Sequence, residues 1–247
     1  MKIRLGLLCG LLLSVFSVKG QNWGGGIDDN DLHFGFTFQY VSSEYKVLKN
    51  ANWRTPFKDE AGNDISGPLK AIYSKSSPGF GIGFVVNYRL AEHSDLRFTP
   101  SLVFSDRLLY YDFLSNEDVI MPFTLKEQKV QATMVEFPLG YKLKSDRRNN
   151  FRAYVLGGAK YSRDISSNKK TDDTGNTPLE KLLKNKKNIF SYEAGIGFDL
   201  YFEYFKMSPE IKLSYSLNSV LKDEPQPYVL PLNKLMLRHV TFSLFFE

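Results

Sequence analysis

From Leu32 onward, apolar and polar side chains take turns one residue at a time, in blocks of roughly ten residues, the length of a tilted membrane-crossing strand. Leu32, Phe34, Phe36, Phe38 and Tyr40 alternate with His33, Gly35, Thr37 and Gln39. A period of two belongs to an extended strand, whose successive side chains point to opposite faces. The pattern returns over 80–90, 96–104, 135–143, 151–161, 190–200, 209–217 and 240–246. Eight strands are expected, an even number.

A soluble β-sandwich alternates too, so the content of the two faces has to decide. One face is continuously apolar and carries aromatic rings in every block. The other carries Arg89, Arg97, Glu136, Lys142, Arg152, Lys160, Glu193, Asp199, Glu210 and Lys212, which no sandwich core would accept. In lipid every backbone polar group needs an internal partner, and a sheet provides that only by closing on itself. The expected fold is therefore all-β: an eight-stranded antiparallel transmembrane β-barrel with lipid outside and a filled polar lumen. Arg97, Glu136, Lys142, Arg152, Lys160, Glu193, Glu210 and Lys212 should pair across that lumen, because an unpaired buried charge costs several kcal/mol.

The connections alternate short and long. Residues 91–95, 144–150 and 203–206 are brief, whereas 42–78, 114–128, 164–188 and 218–234 are extended. Outer-membrane barrels combine short periplasmic turns with long external loops. An even strand number then leaves both termini in the periplasm.

The first twenty residues begin Met1-Lys2-Ile3-Arg4, run apolar from Leu5 to Val18, and end in small residues before Gln21. That is the form of a secretory signal peptide cleaved after Gly20. Three domains follow: signal peptide 1–20, a periplasmic segment 21–31, and the barrel 32–247. Cys9, the one cysteine, has too little apolar chain before it for a lipoprotein anchor. The net charge of +5 falls to +2 once Lys2, Arg4 and Lys19 are removed, so charge makes no case for nucleic acid.

Chemistry-bearing motifs are sparse. Glycine runs at 24–26 and at 79, 81 and 83 lack phosphate-loop spacing. His239 shares a face with Thr241 and Ser243, but no third group orients it. No histidine or carboxylate pair has metal-ligand spacing. Neither catalytic residues nor a metal, cofactor or small-molecule substrate is expected. Asp172 and Asp173 read as solvated loop charge. Thr177, Pro178 and Glu180 form a capping-box pattern opening a short helix. The lysines behind it, Lys181 and Lys184, could meet lipopolysaccharide phosphates or an acidic partner, but plain solvation of an external helix is the favoured reading. The first long loop holds Tyr45, Trp53, Phe57 and Tyr73, too apolar for a purely solvated connection. Those residues either fold over the barrel mouth or form a protein-binding surface; both readings stand.

Several segments resemble the PorT/SprT-type outer-membrane β-barrel family of the Bacteroidota type IX secretion system. They are LHFGFTFQY at 32–40, GIGFVVNYRL at 81–90, LRFTPSL at 96–102, VEFPLGYK at 135–142, YVLGGAKY at 154–161 and LRHVTF at 237–242. The resemblance implies a non-enzymatic accessory role in exporting cargo with a C-terminal signal, and in gliding motility in some relatives. It implies other outer-membrane secretion proteins as partners, and offers no catalytic residues to carry over. A generic barrel that displays surface loops as an adhesin is the alternative.

Overall fold

A computed structural model describes residues 30–59, 61–115, 124–166, 173 and 175–247. The signal peptide and most of segment 21–31 lie outside the described residues. Ten strands occur among the described residues: β1 (Leu32–Lys49), β2 (Leu69–Lys75), β3 (Ser77–Ala91), β4 (Ser94–Phe98), β5 (Ser101–Phe113), β6 (Leu125–Lys144), β7 (Phe151–Asp164), β8 (Asn188–Tyr201), β9 (Lys206–Ser216) and β10 (Leu232–Phe246). β2 and β3 run on with one residue between them, and β4 and β5 are separated at Thr99 and Pro100, where proline offers the ladder no N–H. Counting each pair as one staved element gives eight. β1 pairs with β10 on one side and with β3 on the other, so the antiparallel sheet closes into a ring.

The register fixes the barrel's dimensions. Paired residues can be followed around the wall from Phe34 through Val86, Phe98, Leu139, Ala159, Tyr192, Tyr215 and Arg238. The path returns to β1 at Glu44, ten positions from its start. With strands ~4.8 Å apart and a rise of ~3.3 Å per residue, this stagger tilts eight strands by roughly 40° and gives a backbone radius of about 8 Å. A cylinder that narrow is filled by its own side chains.

The strands outrun the sequence expectation. β1 continues to Lys49, β6 begins at Leu125 and β10 at Leu232, so much of the expected long loops is barrel wall. Along this extension the alternation inverts. On β1 the outward residues change from Phe36, Phe38 and Tyr40 to Ser42, Glu44 and Lys46, while the inward ones change from Thr37 and Gln39 to Val41 and Tyr45. β5 passes from inward Ser105 and Arg107 to Leu109, Tyr111 and Phe113; β6 from Glu136 to Met134, Ala132 and Val130; β10 from His239 to Leu237 and Leu235. The barrel thus has two storeys. One is oily outside and polar inside, as lipid demands; the other has an apolar interior and a polar exterior, as water demands. On β1 the oily belt from Leu32 to Tyr40 rises roughly 20 Å along the axis at that tilt, close to the ~25 Å apolar band of such barrels.

Candidate functional site

In the lipid-facing storey the inward charges lock together in layers. Nearest the short turns, Arg97 Nη1 lies 3.0 Å from Glu210 Oε2 and Nη2 lies 3.3 Å from Glu247 Oε1. The Tyr154 hydroxyl donates to the same Glu210 oxygen at 2.9 Å, and the Phe245 ring centre sits 4.6 Å from the guanidinium. Lys206 holds Glu247 at 2.8 Å, and Lys142 holds both oxygens of Asp199 at 2.8 and 2.7 Å. Lys144 pairs with Asp95. Arg152 sits opposite Asp199 in the register. One layer further in, Lys160 lies 2.9 Å from Glu136 and 3.5 Å from Glu193, and Lys212 reaches Glu193 at 3.2 Å. Alternation points to these charges and puts Tyr154 on the same inward face; it misses Asp95, Lys144, Lys206 and Glu247, which lie at block ends.

Above the ion pairs, an apolar cap shuts the mouth. Phe57 from the first loop packs edge-on against Tyr111, Phe113 and Tyr228, with ring centres 6.4, 5.3 and 5.2 Å away. The Tyr111 hydroxyl donates to the Tyr228 carbonyl at 2.6 Å, and the Tyr228 hydroxyl donates to the Leu179 carbonyl at 2.7 Å. Gln128 donates to the Lys181 carbonyl and accepts from the Leu183 amide, both at 3.0 Å. Leu69, Leu183, Val220 and Leu221 complete the cap. Four segments of the chain therefore meet in one core that closes this end of the barrel among the described residues.

The first-loop aromatics divide accordingly. Tyr45 and Phe57 are 2% and 4% exposed, so they belong to the plug and present no surface to a partner. Trp53 is half-buried, with Lys49 Nζ 4.0 Å and the Arg54 guanidinium 5.0 Å from its ring centre. Tyr73 stacks on Tyr110 at the outer wall, 5.4 Å between centres.

The helix expected after Thr177 is one 3-10 turn, Pro178–Glu180, with the Thr177 hydroxyl donating to Glu180 at 3.0 Å. It stops because the amides that would continue it find other acceptors: Leu182 donates to Asp173 Oδ2 and Leu183 to Gln128, each at 3.0 Å, while Leu183 is drawn into the cap. Tertiary burial outweighs a few tenths of a kcal/mol per residue of local propensity.

Asp173 is a buried latch and not solvated loop charge. Lys184 contacts it at 2.6 Å and Glu224 at 3.3 Å, and Lys181 donates to its carbonyl at 2.9 Å. Burial pushes the Asp173 carboxyl up, but the Lys184 ammonium and the Leu182 amide outweigh it and hold the pKa below the usual carboxylate range. The Lys184 ammonium is held above its ordinary value: burial opposes this, and Asp173 and Glu224 prevail.

The outer wall is interrupted near the lipid boundary where β9 ends at Ser216 while β8 and β10 continue past it. A cleft of ≈ 570 Å³ opens there, lined by Phe190, Leu217, Val220 and Met236 together with Lys186 and Lys234. His239 is 4% exposed inside the lumen, with Nδ1 4.0 Å from Glu136. No cluster of three or more metal-ligating side chains occurs among the described residues.

The family model described as outer membrane protein beta-barrel domain matches residues 2–222. No curated protein matches the chain. Among solved structures, Neisserial surface protein A is 8% identical, with a TM-score of 0.40 over 87% of this chain and 98% of that one. Ail of Yersinia pestis, solved with the heparin analogue sucrose octasulfate, is 11% identical with a TM-score of 0.38, covering 88% and 99%. OprG from Pseudomonas aeruginosa is 14% identical with a TM-score of 0.37, covering 86% and 93%.

Proposed function

We propose, starting from the fact that this chain belongs to the outer membrane protein beta-barrel domain family, that it is a non-enzymatic accessory subunit of a protein-secretion machine in the outer membrane. The machine proposed is the type IX system, whose PorT/SprT barrels its strand motifs resemble. The observation that carries an accessory role is the closed interior. Ion pairs such as Arg97–Glu210 and Lys142–Asp199 occupy the lumen, and the cap around Phe57 and Tyr228 occupies the mouth. Cargo cannot pass through such a barrel, so its contribution has to run through its wall and loops. The cleft at Phe190 and Leu217 and the Trp53 edge of the first loop are the contact surfaces proposed. In this reading the loops face outward, both termini face the periplasm, and the wall contacts lipid and lipopolysaccharide.

Deletion of the gene tests the proposal: cargo carrying the C-terminal signal should accumulate in the periplasm, and undiminished surface delivery refutes it. Photocrosslinkers at Trp53 and Leu217 should capture translocon subunits. The cationic-aromatic cluster of Lys49, Trp53 and Arg54 favours a second reading, a barrel that displays its loops to an external ligand. Capture of no secretion subunit, with export intact, supports that one.

A further inference from the structure

We propose that the barrel interior binds one small monovalent anion against the Arg107 guanidinium, where the polar lumen meets the apolar cap. Arg107 is 0% exposed, and its three side-chain nitrogens make no short hydrogen bond among the described residues, with a looser contact to the Tyr45 hydroxyl. A guanidinium stays protonated in proteins, so the charge has to be met from outside the side chain. The acids Glu136 and Glu193 lie against the lysines: Glu136 holds Lys160 at 2.9 Å and accepts from Ser162 at 3.3 Å, and Glu193 lies 3.2 Å from Lys212 and, through an oxygen without a hydrogen bond, 3.5 Å from Lys160. Among the described residues Arg107 is thus the cation of this layer without an ion pair: Lys160 and Lys212 share Glu136 and Glu193, and Asp164, which acts on the neighbouring Tyr45, accepts from Ser166.

The groups around Arg107 are also short of acceptors. The hydroxyls of Ser43 and Ser105 and Nε2 of His239 are buried without partners. The register brings them together: Ser43 pairs with His239 across β1 and β10 and with Ser77 across β1 and β3, and Ser105 lies two residues before Arg107 on the same inward face. Arg107 lies close to both Tyr45 and His239, and the Tyr45 oxygen, neutral and already accepting from Asn185, can offer the guanidinium a lone pair but no charge. Hydroxyls and an imidazole N–H can all donate, so the layer is a set of donors around a fixed positive charge. Water would satisfy donors and leave the charge; a chloride-sized anion answers both.

The test is refolding of the full mature chain from urea into detergent in chloride, in bromide, or in gluconate, which is too large for the layer, at equal ionic strength. With the small anion at about a hundredfold excess over its dissociation constant, chloride- and bromide-refolded protein should melt roughly 5–10 °C above the gluconate form. Arg107→Leu should melt at one temperature in all three. A crystal grown in bromide should show an anomalous peak beside Arg107, a readout that does not depend on the variant folding. Equal melting of the natural chain in chloride and gluconate overturns the proposal. So does an anion effect that persists in Arg107→Leu, or a bromide crystal with no peak in the lumen.

Discussion

Replacing Lys142 by methionine keeps the length of the side chain and removes the ammonium that holds both oxygens of Asp199, at 2.8 and 2.7 Å. Lys142 and Asp199 are 0% and 1% exposed, so the abandoned carboxylate cannot turn to bulk water; the Ser208 hydroxyl stays 2.6 Å away. Breaking a buried pair from one side costs about 3–5 kcal/mol. At 2–4 °C per kcal/mol for a chain of this size, the melting temperature should fall by roughly 6–20 °C. Removing both charges in Lys142→Met/Asp199→Asn leaves neither member of the pair charged and keeps an acceptor for the Ser208 hydroxyl, so stability should return to within about 1 kcal/mol of the natural chain. The coupling between the two sites is then at least ~2 kcal/mol. Urea titration in detergent, followed by circular dichroism and by the heat-dependent shift of the folded band on a gel, gives all four corners of the cycle. Two results refute a dry, paired lumen: a single variant as stable as the natural chain, or a double variant whose loss is the sum of the two singles.

Adjacent glycines give an internal control for close strand approach. A Cβ on Gly158 would lie 2.2 Å from the Leu139 carbonyl oxygen, whereas one on Gly157 meets nothing within 4 Å. Gly158→Ala should fail to yield the folded band and Gly157→Ala should leave it unchanged. Tyr111→Phe removes the hydroxyl that donates to the Tyr228 carbonyl, and should lower stability by about 1–3 kcal/mol and speed proteolysis of the 218–231 segment. The Asp173 latch has a depressed carboxyl pKa, so its contribution is full above the ordinary carboxylate value near ~3.9 and is lost as pH falls through the lower, folded value. Proteolysis at 173–187 should therefore stay slow at pH 5 and accelerate only in stronger acid, while Asp173→Asn accelerates it at neutral pH. With Cys9 the chain's one cysteine, within the expected signal peptide, a cysteine placed at Lys186 should be labelled by an impermeant reagent on whole cells if the loops face outward.

Much of this was legible because the lipid-facing storey obeys one rule at every position. Phe36 against Thr37, Phe137 against Glu136 and Phe242 against Thr241 each declare their face, and eight such runs leave a closed barrel as the consistent solution. The water-facing storey defeats the same rule. Tyr45 and Val41 stay on the inward face of β1 while the outward face changes to Glu44, so a reader expecting apolar-outside sees the pattern break and assigns a loop. The latch at Asp173 and the abbreviated turn at Pro178 were illegible for a different reason. Their geometry depends on Gln128 and Glu224, contacts that local spacing does not contain.

The inversion also sets how deep the barrel sits. On β1 the change falls between Tyr40 and Ser42, on β5 between Phe104 and Asp106, and on β10 between Val240 and Arg238. Sinking the barrel by two residues would carry Glu44, Asp106 and Arg238 toward the hydrocarbon, and charges there cost up to ~2–4 kcal/mol each as they approach the midplane. Raising it by two would strip lipid from Tyr40, Phe80 and Val240 at the cap-side rim of the belt, exposing apolar area at ~25 cal/mol per Å². Both displacements are resisted by many residues at once, so the cap rides at a fixed height. The cleft between Phe190 and Leu217 opens beside Tyr215, which the register ties to Arg238 and Glu44 at that same boundary. A partner that uses the cleft has to approach along the membrane surface or within it, which makes another outer-membrane protein a better fit than a soluble one.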